Sequence, residues 1–344
     1  MSLKDKIVQF DPDAPGDTSG GIFGLPFTSS EARIIIVPVP WEVTVSYTPG
    51  TAKGPQAILN ASPQLDLYDE FVGNVWQQGI AMKDIPEGMA QESDRMRPLA
   101  KLAIEFQEAG GEDGEDEFLQ AQLTRINDAC SQMVAQIKAT TGELLDQGKA
   151  VLLVGGDHST PLGYLQALAE REDSFGILQI DAHMDLRVAY EGFAYSHASI
   201  MHNALELPSI AKIVQVGVRD FSQAEWERHE QDSDRLRAFT GRTLKQKRFQ
   251  GISWHEQCAE IVAQLPEKVY LSFDIDGLDP SFCPHTGTPV PGGLDFEEVL
   301  YLFEQVNASG RTIIGGDLVE VAPGEDDYDG NVGARILYRM CSLL

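Results

Sequence analysis

The stretch GILQIDAHMD, residues 176–185, carries two signals in ten residues. Its first half, ending in Ile177-Leu178-Gln179-Ile180, is a short, mostly apolar run. It predicts a strand buried on both faces of a parallel sheet. Its second half sets Asp181, His183 and Asp185 on alternate positions. Alternate side chains of an extended backbone point the same way. Three such groups at a strand end either finish the turn or form half of a metal site, and the rest of the chain must supply the partners.

Similar runs recur at Ile34–Val37, Val151–Val154, Ile213–Val216, Val269–Phe273 and Thr312–Ile314. Helical patterns lie among them at about 54–61, 94–108, 116–147, 160–171, 196–205, 222–239, 255–264, 295–308 and 330–342. The alternation predicts a single α/β domain: three layers, α/β/α, around a mostly parallel, doubly wound sheet. Residues 1–30, rich in Gly, Pro and Asp, are expected to form an irregular arm, with the domain proper over 31–344. The Gly- and acid-rich segment 110–117 reads as a solvated loop. The segments 94–147 and 225–252 look long, and either could shape a mouth or an oligomer contact.

Composition sets limits. With 42% hydrophobic and 23% charged residues in 344, the chain reads as a soluble globular protein. No apolar run approaches the ~18 residues of a membrane span, and the start lacks the apolar core of a secretory signal. Four scattered cysteines form no C-x-x-C pair, so reduced thiols and a cytoplasmic location are expected. A formal charge of −27 opposes nucleic-acid and anionic-membrane partners and favours metal ions or a small cationic substrate.

Polar residues gather where the runs end. Val154 leads into Gly155-Gly156-Asp157-His158-Ser159, Phe273 into Asp274-Ile275-Asp276-Gly277, and Ile314 into Gly315-Gly316-Asp317. In open α/β sheets, ligands bind beyond the carboxyl ends of strands. A lone Asp there is usually a cap, and Asp157 by itself reads as structural. Together, His158, Asp181, His183, Asp185, Asp274 and Asp276 offer two imidazoles and four carboxylates. Oxygen and nitrogen donors without thiolate suit Mn²⁺ and accept Ni²⁺, Co²⁺ or Fe²⁺, while structural zinc usually takes cysteine. Four carboxylates exceed the charge of one divalent ion, so two ions roughly 3.5–4 Å apart fit better.

These three motifs resemble those of the ureohydrolase family of arginases, agmatinases and formiminoglutamases. The likeness extends to GTAKGPQAI (50–58), GLDPSFCPHTGTPVPGG (277–293) and DLVEVAP (317–323), and runs from about residue 33 to the C-terminus. It implies an arginase-like fold, a homotrimer or homohexamer, and two Mn²⁺ ions. One ion would be held by His158, Asp181, Asp185 and Asp274, the other by Asp181, His183, Asp274 and Asp276. Hydroxide formed between them would attack a guanidinium carbon and release urea and an amine. Asp185 would orient the hydroxide, Glu320 would pair with the guanidinium, and His197, in AYSHAS (194–199), would serve as acid or proton shuttle.

The substrate is less defined. The AYSHAS loop is similar to the agmatinase pattern, which makes agmatine the leading expectation. DAHMDLR resembles formiminoglutamases, and Arg187 would suit a substrate carboxylate or a plain salt bridge. His285 would touch substrate or cap its turn. 4-Guanidinobutyrate, guanidine and arginine stay open as substrates. From other classes, a two-metal phosphoesterase lacks its G-N-H segment here, and a single-zinc deacetylase would not need both His158 and Asp276.

Overall fold

The computed structural model describes residues 3–18, 20–111 and 117–344. Most of the segment read as an acidic loop, residues 112–116, lies outside them. Among the described residues, eight strands form one sheet: β1 (Ile34–Pro38), β2 (Ile80–Met82), β3 (Ala150–Val154), β4 (Phe175–Ile180), β5 (Ile210–Val216), β6 (Leu236–Phe239), β7 (Lys268–Asp274) and β8 (Thr312–Val319). Their order is β2-β1-β3-β8-β7-β4-β5-β6, and every pairing is parallel. The sheet is therefore wholly rather than mostly parallel. Its middle strands are buried on both faces, as their unbroken apolar runs require.

The helices are α1 (Leu3–Gln9), α2 (Gly54–Ala61), α3 (Glu87–Glu108), α4 (Glu117–Asp146), α5 (Leu162–Ala169), α6 (Ile200–Leu205), α7 (Gln223–Gln231), α8 (Gly241–Phe249), α9 (Trp254–Ala263), α10 (Phe296–Ala308) and α11 (Tyr328–Cys341). Helices α3 to α6 pack in series, as do α2, α11, α10 and α9, and the two sets complete the three layers. Capping boxes start α7 (Ser222/Glu225), α9 (Ser253/Glu256) and α10 (Asp295/Glu298), closing otherwise orphaned N–H groups.

Four expectations change. The predicted helix 222–239 ends at Gln231. Its last part, Leu236–Phe239, is the edge strand β6, where Leu236 and Phe239 bury themselves against β5. The run Thr312–Ile314 does not stop at Gly315: β3 and β7 flank it, supply ladder partners and carry the strand to Val319. Asp317 is thus inside the sheet, not beyond its end. Strand β2 and helices α1 and α8 were absent from the sequence reading. Finally, the N-terminal stretch contains α1, and Ile22, Phe23 and Leu25 join the main core.

A cluster of imidazoles and carboxylates at the carboxyl ends of the central strands

Four adjacent strands, in the order β3-β8-β7-β4, end at the same place. The loop after β3 carries His158, β4 leads into Asp181, His183 and Asp185, β7 ends at Asp274 with Asp276 beyond it, and β8 leads into Glu320. Sequence neighbours are separated in the sheet, which opens a crevice at this switch in strand order.

The first cluster centres on His158. Its Nδ1 lies 3.0 Å from Asp181 Oδ2, 3.0 Å from Asp185 Oδ2 and 3.3 Å from Asp274 Oδ2. The second centres on His183, whose Nδ1 is 3.1 Å from Asp276 Oδ2 and 3.6 Å from Asp181 Oδ1. Two groups able to hold a metal ion result, His158/Asp181/Asp185 and Asp181/His183/Asp276, and Asp181 belongs to both.

Three of these carboxylates are also tied down by backbone donors. Asp181 Oδ1 accepts the His183 N–H at 2.6 Å, Asp274 Oδ1 the Asp276 N–H at 2.9 Å, and Asp276 Oδ1 the Ala182 N–H at 3.0 Å. Beneath the cluster, Gln215 donates to Gln179 Oε1 (2.7 Å), and Gln179 donates to Asp181 Oδ2 (2.7 Å). His158 Nε2 lies 3.0 Å from Ser272 Oγ, which donates to Asp317 Oδ1 at 3.1 Å. Ser272 has one proton. Once it is given to Asp317, the serine oxygen can only accept from His158 Nε2–H. The lone pair of His158 then sits on Nδ1, a buried atom with no hydrogen-bond partner, aimed at the carboxylates. An orphaned imidazole nitrogen among three carboxylate oxygens fits a divalent cation.

The electrostatics agree. Burial opposes charge on His158 and His183, yet the surrounding carboxylates hold both well above the ordinary imidazole range, so without a cation a proton takes the place of the Nδ1 lone pair. Burial, reinforced by the charge of Asp181, pushes the Asp185 carboxyl up to about 7. So much negative charge in so little water demands positive counter-charge.

Two of these carboxylates stand on strained backbone: Asp185 has φ 54 and Glu320 has φ 62. Left-handed geometry at non-glycine residues costs about 1–3 kcal/mol and persists where its surroundings enforce it. The Asp185 carbonyl accepts from Met201 N–H (3.0 Å) and His202 N–H (3.2 Å) at the start of α6. Glu320 is pinned three times: its N–H donates to Gly156 O, its carbonyl accepts from Thr286 Oγ1, and its Oε1 accepts the His158 N–H, each at 2.8 Å. Burial, reinforced by Asp157, holds the Glu320 carboxyl well above its ordinary range. Gly156 permits the tight turn here, since a Cβ would meet Trp41 O at 1.8 Å.

A cavity of about 260 Å³ opens above the cluster. Its lining includes His158, His183, Asp185, Asp274, His197 and Glu320, so the predicted site residues converge. The ring of His197 is held loosely by Thr44 Oγ1, Ser46 Oγ and Ser196 Oγ at 3.4–3.5 Å. Burial and the neighbouring positive imidazoles push it down to about 3, so it is neutral at physiological pH rather than poised near 6.5. Arg187 lines the cavity, its guanidinium 4.5 Å from the Tyr190 ring centroid and its Nε 3.8 Å from Glu225. His285 does not join the lining. It pairs with the buried Asp329 at 2.8 Å and fastens its loop to α11. Asp157 is structural as expected, accepting from Thr44 and Ser159. Sequence reasoning missed Gln179, Gln215, Ser272 and Thr44. The only signal for the first three was a polar residue inside an otherwise apolar strand.

No helix among the described residues is long and apolar enough to cross a membrane. In comparison with known proteins, the family described as "Arginase family" matches residues 32–342. The N(1)-aminopropylagmatine ureohydrolase of Thermus thermophilus is 31% identical over 91% of this chain and 90% of its own length. An agmatinase of Proteus mirabilis is 30% identical over 88% of this chain and 83% of its own. The solved agmatine ureohydrolase of Thermoplasma volcanium superposes with a TM-score of 0.70 at 22% identity, covering 98% of this chain and 96% of that one.

Proposed function

The chain belongs to the arginase family, and on that premise we propose that it hydrolyses a linear alkylguanidine with a cationic tail, agmatine first, to urea and an amine. The observation that carries this reading is the pair of ligand groups sharing Asp181, set beside the buried Glu320 in one small cavity. His158, Asp181, Asp185 and Asp274 would hold one divalent ion, and Asp181, His183, Asp274 and Asp276 the other, with Mn²⁺ as the expected metal. Bound there, the ions would make water acidic enough to supply hydroxide near neutral pH.

The protein's own groups do the rest. Glu320 faces the guanidinium, a planar fork of donors, and a cation arriving there returns its carboxyl to the charged form. Asp185, held on strained backbone, accepts a hydrogen bond from the attacking oxygen and so orients it. His197, neutral at rest, takes up a proton during the reaction and passes it to the leaving amine. Asp157 fixes Thr44, and Thr44 steadies His197 at both its N–H and its ring.

The cavity lining holds five carboxylates (Asp185, Asp220, Glu225, Asp274 and Glu320) and one arginine. With Asp185 and Asp274 turned to the ions, Glu320 to the guanidinium and Glu225 to Arg187, Asp220 is left to favour a cationic tail. Arg187 favours a second reading, a guanidino acid such as 4-guanidinobutyrate, but Glu225 already answers its charge. The test is a urea-release screen of Mn²⁺-loaded enzyme with agmatine, N(1)-aminopropylagmatine, 4-guanidinobutyrate, arginine and guanidine. Highest kcat/KM on a cationic-tailed substrate is expected. A preference for 4-guanidinobutyrate would install the second reading, and no urea from any of them would overturn both.

A further inference from the structure

We propose that Asn127, on α4 and outside the cavity lining, is a positioning residue that holds the substrate-facing loop 187–194 and so sets affinity for the substrate's tail. The role of the tail rests on the function proposed above. The hold on the loop rests on geometry alone.

The loop contains a two-residue reverse turn. Tyr190 and Phe193 exchange both backbone hydrogen bonds (3.3 and 2.9 Å), while Glu191 (φ 54) and Gly192 (φ 76) both occupy the left-handed region. This is the geometry of a type I′ hairpin turn, and Glu191 is a poor residue for it. An isolated turn of this kind is weak. Here Asn127 acts as an added strand edge: its Nδ2 donates to Gly192 O at 3.0 Å and its Oδ1 accepts the Ala194 N–H at 2.9 Å. One turn of α4 earlier, Leu123 packs where a Cβ on Gly192 would fall, at 3.0 Å, and Asn203 of α6 holds the Ala194 carbonyl at 3.0 Å.

The turn matters because of what it carries. Tyr190 lines the cavity, lies under the Arg187 guanidinium and meets the His197 ring edge-on with centroids 6.2 Å apart. Helix α3 secures the facing loop: Ser93 Oγ accepts the Glu42 N–H (3.0 Å) and Arg97 donates to Val43 O (3.2 Å), next to Thr44 and Ser46. The long helical pair therefore grips both loops of the mouth, and Asn127 is its direct hold on the loop with Arg187 and Tyr190.

The experiment compares wild type, Asn127→Ala and Asn127→Asp, all metal-loaded, by hydrogen exchange and by kinetics with agmatine. In Asn127→Ala, exchange over residues 188–196 should quicken by about tenfold, and KM should rise about fivefold from the loss of two hydrogen bonds, with kcat within twofold and metal content unchanged. Asn127→Asp, which keeps the acceptor for Ala194, should fall between the two. In a Tyr190→Ala background, Asn127→Ala should add little, because one residue acts through the other. Unchanged exchange in this segment would overturn the hold on the loop, whatever the substrate is. Faster exchange with unchanged KM, or with kcat falling as much as KM rises, would overturn the role in tail binding. If the wild type neither binds nor cleaves agmatine, the substrate reading and the tail role fail together, while the exchange result still decides the hold on the loop.

Discussion

The floor and the rim of the cavity are built differently. The floor is made of residues at or just beyond four strand ends, with His158, Asp181 and Asp274 nearly inaccessible and the carboxylates of Asp181, Asp274 and Asp276 fixed by backbone donors. The rim is made of loops, with Arg187, Tyr190 and Phe221 partly exposed and the turn after Tyr190 held by Asn127, far away in sequence. A parallel sheet fixes its strand ends to within a hydrogen bond, whereas a loop is only as rigid as what grips it. On the proposed function, chemistry belongs on the first and substrate choice on the second.

Substitutions should separate the two. The largest effect is expected for Asp276→Ala. Elemental analysis should show one metal ion lost, and the rate should fall roughly a thousandfold or more, since an ion contributes several kcal/mol of charge stabilisation. Two ions and full activity in this variant would refute the shared-Asp181 assignment. Next comes His197→Ala, with kcat down by about 10²–10⁴ and metals retained; loss of metal would move His197 into the floor.

His197 also has a pH signature. The unfolded chain protonates this imidazole near its ordinary pKa, while the fold keeps it neutral down to about 3. The unfolded state therefore binds more protons, and stability falls as pH drops below about 6.5. The fall in Tm below that pH should be shallower in His197→Ala than in the wild type. Parallel curves would show that the buried neutral ring costs nothing.

A smaller change tests the support beneath the floor. Asp317→Asn should weaken metal binding by about 10- to 100-fold, read by chelator competition, because Ser272 no longer has a carboxylate to receive its proton. An unchanged affinity would mean that His158 is oriented by packing alone. The smallest effect is expected at the rim. Arg187→Ala should shift KM for agmatine less than tenfold, as its charge already faces Glu225 in partial solvent. A collapse of turnover would place Arg187 in the chemistry and erase the contrast.

Much of the floor was legible in the sequence because it rests on local rules. Six apolar runs gave six of the eight strands, and alternate spacing brought Asp181 with His183 and Asp185, and Asp274 with Asp276, into two converging sets. The misses were non-local. LRAF at 236–239 is too short and too charged around it to read as a strand until β5 lies beside it. Gly315-Gly316 reads as a stop, yet a Cβ at Gly315 would collide with the Tyr164 hydroxyl at 2.1 Å, so close packing between layers explains the glycine. Asn127 gave no signal, because nothing in a helix's sequence says which loop will lie against it.

The sequence by itself determined the parallel α/β fold, the donor types and the order in which they reach the site, since strand periodicity and ligand chemistry act over a few residues. Only the tertiary structure decided that β3, β8, β7 and β4 stand side by side, that His158 offers Nδ1 rather than Nε2, that His197 is neutral, and that His285 serves Asp329 instead of the cavity. Each of these depends on groups tens or hundreds of residues apart, and on how much water their packing leaves between them.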